Sequence, residues 1–239
     1  MRLLVSVVDA GEASEAAAGG ADIVDVKNPA EGSLGAPSPS TIAAVRAAVP
    51  ARLPVSAAVG DMPNLPGTAA LAALGAAHSG AMFVKVGLRG AATDADAIAL
   101  LRTVREAAPD AVVVAGAYAD ARRVAHPPLA PELLPRVARA AGVDVCLLDT
   151  AVKDGRGLLD WLSAQALTAL VDEAHELGLQ VALAGALRAE DLPVVAATGA
   201  DIAGVRSAAC ADGRRTGALD PARVRALLAA CAATPRASR

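Results

Sequence analysis

Short runs rich in Val, Ile and Leu recur about every 25 to 35 residues along this chain, and each is followed by a stretch of Ala and Leu at helical spacing. Eight strands are predicted: Leu3 to Val8, Asp22 to Lys27, Pro54 to Val59, Met82 to Leu88, Ala111 to Ala117, Val143 to Asp149, Gln180 to Ala184 and Asp201 to Val205. The runs are almost continuously apolar, as strands covered on both faces must be. Helix starts are readable between them. Ser38 or Ser40 precedes Ile42 and Val45, Thr93 precedes Ile98, Leu101 and Val104, and Asp220-Pro221 precedes Val224, Leu227 and Leu228. Gly20, Gly80, Gly142, Gly178 and Gly199 are placed to stop helices just before the next strand. Pro135 within Glu132 to Ala141 and Pro193 within Glu190 to Thr198 should kink or shorten the fifth and seventh helices.

Eight strand-helix units in 239 residues fit a single (β/α)8 TIM barrel better than an open doubly wound sheet. Residues 1–233 are expected to form this one domain, with 234–239 a frayed C-terminal tail. In such a barrel, ligands and chemistry gather at the C-terminal ends of the strands.

Composition narrows the function. The core must be aliphatic, because the chain has one Trp, one Tyr and one Phe, and base stacking on a nucleic acid has no aromatic platform. A net charge of −3 without a basic run removes the electrostatic footprint of a nucleic-acid binder. Cys146, Cys210 and Cys231 are odd in number and far apart, which suits a reducing cytoplasm rather than a disulfide framework. The first apolar run meets Asp9 too soon for a signal sequence or a membrane span. His78, His126 and His175 show no metal-ligand spacing, and no Gly-x-Gly-x-x-Gly opens a helix after the first strand. Neither a metal nor a dinucleotide cofactor is expected.

Lysine is scarce: Lys27, Lys85 and Lys153 stand among 22 Lys and Arg residues. Each lies at or just past the end of an even-numbered strand, where an amine of adjustable proton affinity can do what a guanidinium cannot. Period-two alternation puts Asp25 and Lys27 on one face with Val26 on the other, and turns Lys85 inward beside Phe83 if Val84 faces the helices. Asp149 ends the sixth strand, and Lys153 follows in the loop Thr150 to Gly155. A lysine near another ammonium in a low-dielectric mouth loses proton affinity and can attack a carbonyl. Asp25 and Asp149 can then orient amines or carry protons. The competing reading is a set of salt bridges and solvated loop residues. Gly185 after the seventh strand, and Gly204, Arg206 and Ser207 after the eighth, form candidate phosphate contacts through backbone N–H groups and a charged fork. Gly60-Asp61 and Gly116 to Asp120 read either as hydroxyl contacts or as turns.

The stretch Asp22 to Ala36, carrying Asp25-Val26-Lys27-Asn28-Pro29-Ala30-Glu31-Gly32-Ser33-Leu34-Gly35, resembles the (5-formylfuran-3-yl)methyl phosphate synthase family, also called 4-(hydroxymethyl)-2-furancarboxaldehyde-phosphate synthase. The likeness continues through Val55 to Asp61, Phe83 to Leu88, Leu148 to Gly155 and Val181 to Gly185, and so covers nearly the whole chain. It implies a class I aldolase-like lyase that condenses two molecules of glyceraldehyde 3-phosphate into a phosphorylated furan aldehyde for methanofuran-type cofactor biosynthesis. It also implies that Lys27 forms a Schiff base, that Lys85 transfers protons, and that Asp25, Asp149 and Lys153 support them. Ser207 departs from the family pattern, which has Gly after the arginine. Two other readings use the same residues: a class I aldolase on another phosphorylated sugar, and a non-catalytic barrel that binds a phosphometabolite or pyridoxal phosphate. The expected partner is a small phosphorylated triose, with no nucleic acid and no membrane. The Ala-rich helix faces suit packing within the barrel or against a second copy in a homo-oligomer.

Overall fold

The eight apolar runs, each covered on both faces, pair into one closed sheet in the computed structural model, which describes residues 1–232. Its strands are β1 (Arg2–Val7), β2 (Ile23–Val26), β3 (Val55–Asp61), β4 (Phe83–Gly87), β5 (Val112–Tyr118), β6 (Val145–Asp149), β7 (Gln180–Leu183) and β8 (Ile202–Val205). All neighbours pair in parallel, and β8 returns to β1 to close the barrel. The helices around it are α1 (Ala10–Ala18), α2 (Pro39–Ala48), α3 (Pro66–His78), α4 (Asp94–Ala107), α5 (Leu134–Ala141), α6 (Ala164–Glu176), α7 (Leu192–Ala197) and α8 (Pro221–Ala232). The expected frayed tail, 234–239, lies outside the described residues. Among those described, no helix is long and apolar enough to cross a membrane.

The local signals act as expected in most places. Ser38 and Thr93 cap α2 and α4 by accepting backbone N–H bonds. Gly20, Gly80, Gly142, Gly178 and Gly199 all adopt positive φ where the chain leaves a helix for a strand. Of the two outcomes expected for the prolines, shortening is what the structure shows: α5 and α7 start only at Leu134 and Leu192. Pro135 and Pro193 sit in the first turns of α5 and α7, each preceded by a short 3-10 turn, Pro131–Leu133 and Ala189–Asp191. A first-turn proline lacks an N–H that would have no partner there, so neither residue kinks a helix.

Inward residues stack in layers supplied alternately by even and odd strands. Ile23, Phe83, Val145 and Ile202 form an apolar floor, with Leu4, Ser56, Val114 and Ala182 above it. Outward residues such as Val5, Val26, Val84 and Cys146 belong to the larger core beneath the helices.

A repeated device locks the floor. Asp22, Asp144 and Asp201, each just before an even strand, accept the backbone N–H of Leu3, Val113 and Val181 on the preceding odd strand at 2.8–2.9 Å. The corresponding residue before β4 is Met82, half exposed, beside Val55 in the same register. Its side chain offers no comparable acceptor. Met82→Asp is therefore expected to raise stability by about 1 kcal/mol, a rise in melting temperature of about 2–4 °C, checked by calorimetry. An unchanged or lower melting temperature would contradict this reading of the repeat.

Candidate active site

Above the floor the inward residues turn polar. Asp25 of β2 and Lys85 of β4 share one layer, and Lys27, Asp149 and Arg206 stand above it at or just past the ends of β2, β6 and β8. Lys27, Lys85, Asp149 and Arg206 face a cavity of about 250 Å³ with an apolar base that includes Leu4, Ile23, Phe83 and Leu147. The structure thus gathers Lys27, Lys85, Asp149 and Lys153 at one mouth, with Asp25 directly below.

Asp25 is fully buried and accepts from the Lys85 Nζ at 2.6 Å and from the Ser6 Oγ at 2.9 Å. Across the cavity, Asp149 accepts from the Lys153 Nζ at 2.8 Å and from the Thr150 N–H at 2.7 Å. Burial alone would raise the Asp149 pKa, but Lys153 and Lys27 together hold it far below the usual carboxylate range. Lys27 is buried between these two pairs, and among the described residues no carboxylate reaches ion-pair distance of its amine. Desolvation dominates its titration. Asp149 and Asp25 raise the pKa, Lys85 and Lys153 lower it, and the result is about 8.

Residues 3–228 match the family described as 4-HFC-P synthase. The chain belongs to that family. It is 50% identical over 236 residues to a (5-formylfuran-3-yl)methyl phosphate synthase of Methanocaldococcus jannaschii, covering 97% of this chain and 100% of that one. It is 52% identical over 236 residues to the synthase of the same name from Methanopyrus kandleri, covering 97% of this chain and 99% of the other. These relatives are enzymes by name, which makes this chain a member of an enzyme family. Among solved structures, 3-hexulose-6-phosphate synthase from Salmonella typhimurium has a TM-score of 0.67 at 18% identity, covering 97% of this chain and 99% of that one. That likeness is one of fold alone.

The family motif after β2 turns out to be a loop that shapes the cavity. Asn28 caps the 3-10 turn Pro29–Glu31, and Gly32, at φ +130, brings the Ser33 and Leu34 N–H groups to the Asp61 carboxylate at 2.8 and 3.2 Å. A Cβ on Gly32 would lie 2.2 Å from that carboxylate. Tyr118 also donates its hydroxyl to Asp61. So anchored, Leu34 is buried within the inner barrel cluster, where the bare backbone of Gly116 leaves room for it, while that of Gly87 leaves room for the Tyr118 hydroxyl and the Asp61 carboxylate. Gly60 and Asp61 are therefore more than a simple turn. A register shift in β3 re-aims Asp61 to pin the neighbouring loop.

Asp120 plays the matching part on the other side. It accepts the N–H groups of Ala151 and Val152 at 2.6 and 2.8 Å and so fixes the loop that carries Lys153. Further along that loop, Arg156 stacks on Trp161, 4.4 Å from the ring centroid, and pairs with Asp154.

Gly185, Gly204 and Ser207 border the cavity as expected, and Gly185 at φ +104 is followed by Ala186 at φ +49. Two successive residues in the left-handed region, the second an alanine, mark a strained turn at the mouth. Arg206 is different. Its Nε donates to the Arg215 carbonyl at 2.9 Å, Nη1 to the Ser6 carbonyl at 3.0 Å, Nη2 to the Gly217 carbonyl at 3.1 Å, and both terminal nitrogens to Glu12. All five N–H donors are spent inside the protein. Arg206 is a strut for the loop after β8, not an open fork.

Sequence reasoning passed over Ser6, Leu34, Arg156 and Arg215. Arg156 stood one residue beyond a motif already noticed, whereas nothing periodic singles out Arg215 in Gly213-Arg214-Arg215. Among the described residues no cluster of His, Cys, Asp and Glu is placed to hold a metal ion.

A pKa lowered from 10.5 to about 8 means the reactive neutral amine of Lys27 gains population as pH rises through 8. Reductive labelling of Lys27 by a small aldehyde and cyanoborohydride should rise with a midpoint near pH 8 and then level off. Asp149→Asn removes a charge that raises this pKa, so its midpoint should fall below that of the parent chain. A midpoint near 10.5 in the parent chain would contradict the arrangement.

Proposed function

We propose that this protein condenses two molecules of glyceraldehyde 3-phosphate into 4-(hydroxymethyl)-2-furancarboxaldehyde phosphate, through a Schiff base on Lys27, as a lyase of methanofuran-type cofactor biosynthesis in the cytoplasm. The observation that carries the reading is the unpaired, buried Lys27 between two carboxylate–lysine pairs, in a member of the furan phosphate synthase family.

The atoms balance. Two triose phosphates lose one phosphoric acid and two waters to give the monophosphorylated furan, with no net change of oxidation level. In the proposed sequence the neutral Lys27 amine attacks one carbonyl and water leaves, giving an iminium. Loss of a proton from the adjacent carbon gives an enamine that attacks the aldehyde of the second triose. Lys85 and Asp25 lie beneath the amine, and Lys153 and Asp149 beside it, so that protons can be taken up and returned as phosphate and water leave. A Lys27 that kept its proton would form no iminium, and the two carboxylates are already occupied by other lysines. The apolar base of the cavity keeps bulk water from the iminium. Backbone N–H groups near Gly185, Gly204 and Ser207 supply contacts for the retained phosphoryl group.

Incubation with glyceraldehyde 3-phosphate should release inorganic phosphate together with furan absorbance. Borohydride trapping followed by mass mapping should mark Lys27. Lys27→Arg should reduce furan formation by at least about 1,000-fold, since a guanidinium cannot form the iminium. Labelling at Lys85 or Lys153 instead, or furan from the Lys27→Arg protein, would sink the mechanism. An aldol product without phosphate release would favour an ordinary class I aldolase. A saturable adduct without turnover would favour a binding barrel.

A further inference from the structure

Six cations border the cavity: Lys27, Lys85, Lys153, Arg156, Arg206 and Arg215. Four of them have a carboxylate at ion-pair distance, namely Lys85 with Asp25, Lys153 with Asp149, Arg156 with Asp154 and Arg206 with Glu12. Among the described residues, Lys27 and Arg215 have none. Burial lowers the pKa of Lys27 to about 8, so its amine can give up its proton as pH rises through that value. A guanidinium has no such escape, so a half-buried Arg215 remains a desolvated positive charge until an anion meets it.

The surroundings hold Arg215 ready for that anion. It lies near the tip of the loop between β8 and α8, which the Cys210–Leu219 bridge and the Ala211 N–H to Ala218 carbonyl bond of 2.9 Å close into a hairpin. Arg206 grips the Arg215 main-chain carbonyl, and Arg215 Nη2 reaches across the mouth to the Gly32 carbonyl in the loop after β2. That is its one side-chain hydrogen bond among the described residues, and its buried Nε has no acceptor. The contrast with Arg206, whose donors are all spent, is complete.

We propose that Arg215 is a phosphate-binding residue that clamps the phosphoryl group of a bound triose phosphate at the mouth of the barrel. The reading above supplies the identity of the ligand. Phosphate binding by Arg215 can be measured whatever the product.

The test uses inorganic phosphate and sn-glycerol 3-phosphate, which bears no carbonyl for Lys27 to attack. Arg215→Gln should weaken binding of both by about tenfold or more in equilibrium dialysis, and Arg215→Lys by an intermediate factor, as expected for loss of a charged fork. Borohydride labelling of Lys27 by unphosphorylated glyceraldehyde should stay within twofold of the parent protein. A folded Arg215→Gln protein that binds phosphate within twofold of the parent overturns the proposal. So does an equal loss of glyceraldehyde labelling, which would report a collapsed site. The unsubstituted protein gives an independent answer: inorganic phosphate should protect Arg215 from phenylglyoxal about fivefold or more, and leave the exposed Arg52 before β3 unprotected. No protection at Arg215 overturns the proposal. Protection in a protein that makes no furan would support the clamp while refuting the triose reading.

Discussion

The buried contact between Lys85 and Asp25 sets the terms for everything above it. Both groups lie in the barrel where water is scarce, with side-chain exposures of 6% and 0%, and removing either would strand a charge at a cost of about 3–5 kcal/mol. Pairing satisfies the Asp25 charge within its own layer, and the Ser6 hydroxyl adds a second bond to the same oxygen. Lys27, just past the end of the same strand, therefore finds one oxygen of the carboxylate beneath it already engaged, the other being buried without a hydrogen-bond partner and beyond ion-pair distance of its amine. Its counterpart Asp149 is likewise held by Lys153 and the Thr150 N–H. The amine between them feels both carboxylates and both ammoniums at a distance, and burial decides the balance in favour of a low proton affinity. The lowered proton affinity of this amine follows from the pairing of its neighbours, since an ion pair to Lys27 itself would have raised it.

A second constraint makes the mouth lopsided. Leu34 fills the side above β3 to β5, clustered with Ala58 and against the bare backbone of Gly116, and the cavity extends toward β6, β7, β8 and β1. Holding an apolar side chain in that position requires its own main chain to be satisfied, and Asp61 does this through two N–H bonds. The loop bearing Leu34 begins one residue after Lys27. The same anchor that blocks half the mouth thus limits where the chain can go as it leaves the lysine. Asp120 imposes the equivalent limit on the chain between Asp149 and Lys153. Catalytic groups at a barrel mouth sit on loops that would otherwise wander, and here the half-buried Asp61 and the buried Asp120 tie those loops to neighbouring strands.

Much of this was legible in the sequence because burial on both faces leaves a strong signature. The eight apolar runs became the eight strands, and period-two alternation turned Asp25, Lys27, Phe83 and Lys85 inward. Depth was not legible. Lys85 lies a layer below Lys27 because neighbouring strands are staggered, and stagger belongs to the closed sheet rather than to any one segment. Pro135 and Pro193 looked like interruptions since a short 3-10 turn continues the helical spacing upstream of each α-helix. The aspartates before β2, β6 and β8 carried a repeat that becomes visible once Leu3, Val113 and Val181 are seen opposite them. Arg206 and Arg215 could not be told apart either. What separates them is how many donors each has left, which depends on Glu12 and on carbonyls from distant strands and loops.

The scarcity of lysine takes on physical meaning in this light. Burying a cation at the mouth of an apolar barrel has three solutions: pair it, deprotonate it, or leave it for an anionic ligand. Lys85 and Lys153 take the first course, the second is opened to Lys27 by a pKa lowered to about 8, and Arg215 takes the third under the clamp proposed above. Arginine at position 27 would close the second course altogether, because its proton cannot be removed at any pH the fold withstands. Lysine at position 215 would reopen it, since a desolvated ammonium near other cations could shed its charge and with it the attraction for phosphate. The residue type at each position is thus set by whether the site requires a charge that can be lost or one that cannot.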